Sequence, residues 1–106
     1  MGRKVSAKLE ARAKILKAMA HPSRLLIIEE LGKHECNVSE LTALVGSDIS
    51  TVSKHLAILR HEGIIEDNKR GTSVYYTLKC PCVLNFYTCV DGVLKTNLES
   101  QMNIIS

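Results

Sequence analysis

Residues 38–62 read VSELTALVGSDISTVSKHLAILRHE. Val38, Leu41, Leu44 and Val45 recur at helical spacing and predict a short helix. Ser39 or Asn37 suits its start, and Gly46 suits its end. Ser47 or Asp48 then caps a second helix running to about Glu62, with Gly63 as its stop. Ile49, Val52, Leu56 and Leu59 form its expected inner face. A short helix, a tight turn and a longer helix make a helix-turn-helix, whose second helix enters the DNA major groove. The outer face near its start then carries Ser50, Thr51, Ser53, Lys54 and His55. Small hydroxyls and a long cation approach base edges and phosphates at little steric cost.

Outward from this stretch the period changes. Residues 64–68 and 73–78 are rich in β-branched and aromatic residues and predict two strands. Lys69-Arg70-Gly71-Thr72 joins them, so a cationic hairpin tip follows the reading helix directly. Lys69 and Arg70 are predicted to meet backbone phosphate or the minor groove, and Arg60 to add a phosphate contact.

Upstream, Val5, Leu9, Ala13, Leu16 and Ala20 predict an amphipathic helix over 5–19, stopped by His21-Pro22. A second helix over 22–31 is apolar on most sides and should occupy the core. Residues 33–37 read as a polar loop. Downstream, 81–98 predicts a last helix with an apolar face too wide for one small domain. The fold class is therefore mainly α with a two-stranded β-hairpin, in the order of four helices, two strands and a fifth helix: a winged helix-turn-helix spanning 1–106 as one domain.

The bulk numbers agree. The chain has 106 residues, 45% hydrophobic and 24% charged, with a formal charge of +3. That is a globular balance with a mildly basic surface, compatible with a nucleic-acid partner without requiring one. Met1-Gly2-Arg3-Lys4 precedes a charged stretch rather than an apolar one, which predicts no secretory leader. No apolar run is long enough to span a membrane. A cytoplasmic location follows, in which four cysteines stay reduced. No nucleophile–base arrangement points to an enzyme. A thiol oxidoreductase would rest on Cys80-Pro81-Cys82 alone, which is CxC rather than CxxC and lacks a βαβ setting.

Over nearly its whole length the sequence resembles the ArsR/SmtB family of metal- and stress-responsive repressors. The carriers are LKAMAHPSRLLI at 16–27, VSEL at 38–41, STVSKHLAILR at 50–60, GII at 63–65 and RGTSVYY at 70–76. The resemblance implies a homodimer built from the terminal helices, 5–20 and 81–98. It also implies repression at a palindromic double-stranded operator, with no cofactor needed for DNA binding, and release by an inducer.

Cys80, Cys82 and Cys89 are the candidate inducer ligands, with Cys36 a weaker one. A CxC pair with a third thiol suits soft ions. The resemblance implies trivalent arsenic or antimony held by three thiolates, and the zinc pattern of the family's last helix is absent because no His follows His61. Cadmium or lead, and a redox or persulfide signal, are alternatives. On an ideal helix Cys82 and Cys89 lie about 10 Å apart along the axis. One ion therefore needs an unwound first turn, or a thiol from Cys36 or the partner subunit. A winged-helix module binding protein instead of DNA is the alternative from another class; the polar, cationic face at Ser50–Lys54 speaks against it.

Overall fold

The computed structural model describes residues 4–105; Met1, Gly2 and Arg3, part of the start expected to carry no leader, lie outside the described residues. Five helices and a small sheet follow in order: α1 (Ala7–Met19), α2 (Pro22–Leu31), β1 (Cys36–Asn37), α3 (Val38–Val45), α4 (Ile49–His61), β2 (Ile65–Arg70), β3 (Ser73–Leu78) and, after a 3-10 turn at Pro81–Leu84, α5 (Asn85–Ile105). This is the expected winged helix-turn-helix, with one strand more than the sequence indicated.

Local chemistry sets most boundaries. The Ser6 side chain accepts from the Leu9 amide and starts α1. Pro22 opens α2, where its missing N–H costs nothing. Asn37 and Glu40 form a reciprocal capping box at α3. Gly46, at φ 75°, ends that helix in the left-handed conformation and makes the tight turn.

Ile27 and Ile28 of α2, Leu41 of α3, and Val52, Leu56 and Leu59 of α4 are fully buried together with Ile64 and Ile65. This core fixes α3 against α4 and so sets the pose of the reading helix. The sheet order is β1-β3-β2, all antiparallel. Residues 36–37, expected as loop, instead pair Cys36 with Tyr76 and Asn37 with Tyr75. Two residues carry too little periodicity to announce a strand; only the β3 edge makes them one.

The terminal helices differ from the rest. Only Ala18 and Met19 of α1 are buried, and Leu9 and Leu16 are exposed. Along α5, Phe86, Val90, Val93, Leu94, Leu98 and Met102 are all exposed, Leu94 at 61%. An open apolar cleft of about 390 Å³ lies between α1, α2 and α5, lined by Leu16, Met19, Leu25, Phe86, Val90 and Leu94 among others. No helix among the described residues is long and apolar enough to cross a membrane.

Candidate nucleic-acid interface and thiol sites

Asp48 builds the start of α4. Its Oδ1 accepts from the Thr51 amide at 2.8 Å and from the Ser50 hydroxyl at 3.1 Å. These bonds hold its carboxyl below the usual carboxylate range, so it remains an anion at the helix start. Ser50, Ser53 and Lys54 are exposed and Thr51 is partly exposed, forming one polar face at this end of α4. Ile49, expected to face inward, is 59% exposed, because the first residue of α4 overhangs the core.

His55 requires a correction. It was expected on the outer face, yet only 8% of it is exposed. Its Nδ1 accepts from Arg24 Nε at 3.1 Å, and its ring lies 4.5 Å from that of His21, tilted by 51°. Arg24 also donates to the Ala18 carbonyl at 3.1 Å. His55 therefore ties α4 to Arg24 of α2 and, through it, to the Ala18 carbonyl of α1. Burial, then the His21 ring and the Arg24 charge, lower its pKa. Nothing in the sequence signals this trio, since Arg24 and His55 are 31 residues apart.

The arginines are committed inside the fold. Arg60 pairs with Asp67 on β2 at 3.0 Å. Arg70 is held by both oxygens of Glu35, each at 2.7 Å, and its guanidinium sits 4.8 Å over the Tyr75 ring. The pairing draws the Glu35 carboxyl below its ordinary range. Lys54 and Lys69, in contrast, have no carboxylate within ion-pair distance among the described residues. The Glu35 clamp is invisible in the sequence because it depends on the β1–β3 pairing, which brings the 33–37 segment beside the wing.

Cys80, Cys82 and Cys89 are exposed free thiols, and Cys36 is a buried one. Cys80 precedes the 3-10 turn and Cys82 lies within it, so the α-helix expected from residue 81 begins only at Asn85. The CxC pair thus sits on the joint between wing and last helix, with Cys89 one turn into α5. Among the described residues no three His, Cys, Asp or Glu side chains come together as a metal site within one chain. Cys36 Sγ lies 3.5 Å from His34 Nδ1, but burial, followed by nearby Glu40, Glu30 and Glu35, raises its pKa and keeps it a thiol.

Residues 21–67 match the family model described as "Bacterial regulatory protein, arsR family". The transcriptional repressor PagR of Bacillus anthracis is 41% identical over 88 residues, covering 82% of this chain and 81% of that protein. The structure of Rv0081 from Mycobacterium tuberculosis superposes with a TM-score of 0.80 at 26% identity, over 92% of this chain and 99% of that one. The homodimeric winged helix-turn-helix DNA-binding domain of Mb0332 from Mycobacterium bovis gives a TM-score of 0.74 at 28% identity, over 94% and 95% of the two chains.

Proposed function

From the premise that this chain belongs to the ArsR family of bacterial transcription regulators, and is a DNA-binding regulator rather than an enzyme, we propose that it is a homodimeric repressor. It would hold palindromic operator DNA through α4 and the wing, in the cytoplasm, until a thiophilic inducer reaches Cys80, Cys82 and Cys89. Trivalent arsenic or antimony is the leading inducer, ahead of cadmium, lead and a persulfide or oxidant.

The observation that carries this reading is the place of Cys80 and Cys82, exposed just before and within the 3-10 turn that joins β3 to α5. A ligand that draws two thiolates together there must reshape that joint. The joint sets the angle between the wing and the helix whose apolar face is uncovered. If that face meets a second copy, a change in the angle alters the separation of the two reading helices, and operator affinity falls by the coupling free energy, about 1–3 kcal/mol in ordinary cases. The third ligand, Cys89, is reached by further unwinding or is supplied by the second copy. Uncovered α1 and α5 faces support the dimer, as does the homodimeric Mb0332 domain.

The test is a titration of reduced protein on its own promoter DNA with arsenite, cadmium, zinc and a persulfide. Lys54→Ala is expected to weaken operator binding with the fold intact. Cys82→Ser is expected to bind DNA normally and to lose release. A Cys82→Ser protein that still releases on arsenite removes the CxC site from the mechanism, and release by persulfide alone replaces the metalloid with sulfur chemistry.

A further inference from the structure

Much of the net charge of this chain lies outside the reading helix. Within α1, Lys8, Arg12, Lys14 and Lys17 stand against Glu10 alone, a net +3, equal to the formal charge of the whole chain. The arginines beside the reading face, Arg60 and Arg70, are already cancelled by Asp67 and Glu35. Duplex DNA, however, is bound largely through phosphate neutralisation.

An open groove of about 290 Å³ between α1 and α4 is lined by Lys14, Lys17, Ala18, Arg24, Ile58 and Glu62. Lys14 and Lys17 are exposed, and neither has a carboxylate within ion-pair distance among the described residues; Glu62, at the groove wall, pairs with neither. Arg24 is half-buried and fixed by an imidazole nitrogen and a backbone carbonyl, two neutral acceptors, so its charge is held in place without being cancelled. Lys54, exposed on α4, lies one turn before Ile58 on the same helix face. The groove therefore opens on the side of α4 that also carries Lys54.

We propose that this Lys14–Lys17–Arg24 groove is a second DNA contact, taking the sugar-phosphate backbone that flanks the bases read by α4. It rests on the repressor function proposed for the chain and adds to it the source of the non-specific affinity. Two exposed ammonium groups and one guanidinium held by neutral acceptors suit phosphodiester oxygens, which demand charge and impose no sequence.

The experiment measures affinity of the full chain for its own promoter duplex and for a random duplex of equal length, across about 50–200 mM salt. The Lys14→Gln/Lys17→Gln variant is expected to flatten the log–log salt slope by about 1.8 per protomer, about 3.6 for a bound dimer, at about 0.9 for each phosphate left unneutralised. Affinity for both duplexes should fall by the same factor, leaving their ratio unchanged. Lys4→Gln/Lys8→Gln removes the same charge outside the groove and is expected to change the slope less. An unchanged slope in the groove variant, an equal effect from the control, a fall confined to the promoter duplex, or dissociation of the variant into monomers in sedimentation would each overturn the assignment. Wild-type protein that binds neither duplex would instead overturn the repressor function itself.

Discussion

At His55 a titrating ring sits inside the DNA-binding half of the molecule. Its Nδ1 accepts from the Arg24 guanidinium, so the neutral ring carries its proton on Nε2. Protonation would turn that acceptor into a donor facing a cation, with His21 alongside. The folded pKa is depressed below the ordinary value of 6.5. The unfolded chain therefore takes up the proton first as pH falls. The stabilising contribution of neutral His55 is whole above 6.5, declines between 6.5 and the lower folded value, and is gone below it. His34, whose pKa is raised, acts in the opposite sense, losing its contribution as pH rises. The clean measurement is a difference: melting temperature against pH for wild type and His55→Gln. The two curves should converge toward lower pH, and curves that stay parallel would mean that His55 does not titrate in this window.

Asn37 shows what an element inherits from its neighbours. It is the last residue of β1 and the cap of α3, bonded to the Glu40 amide at 2.8 Å while Glu40 accepts from the Asn37 amide at 3.1 Å. Asn37→Ala is expected to cost about 1 kcal/mol, as removal of an N-cap does, and to loosen α3 against the reading helix. Thermal unfolding measures the first effect and hydrogen exchange in 38–45 the second. The elements with strong local signals are readable from sequence alone. The bounds of α2 follow from Pro22 and the apolar run, and α4 from its cap and the Val52–Leu56–Leu59 stripe. What is not readable depends on distant partners. Strand β1 exists because β3 offers it an edge. His55 turns inward because Arg24 meets it, whereas Ile49 is left outside by its place at the helix end. Cys82 falls outside α5 because local turn geometry after Pro81, rather than side-chain periodicity, sets where that helix starts. The candidate site divides in the same way. The polar residues of the α4 face are visible as a pattern, while the pairing states of Arg60 and Arg70 are not.

For the molecule as a whole, the folded core accounts for α2, α3 and α4 but leaves two helices with apolar faces in water. Exposed patches of this extent mark association surfaces. Leu94→Glu places a charge at the centre of that surface, where burial against a second copy would desolvate it. If the proposed dimer forms across this surface, the expected outcome in sedimentation is a dimer for wild type and a monomer for Leu94→Glu, with intact helix content and weakened operator binding. A dimeric Leu94→Glu protein would move the subunit junction elsewhere.

Tyr87 lies in the same cleft, its hydroxyl donating to the Leu25 carbonyl and its pKa pushed up to about 12 by burial, with Glu29 adding to the effect. The chain has no tryptophan and three tyrosines. The molecule thus carries a built-in optical gauge free of indole background: the Tyr87 share of the ultraviolet signal, isolated as the difference between wild type and Tyr87→Phe, is expected to change when α5 tilts against α2, with no dye attached and no reporter gene.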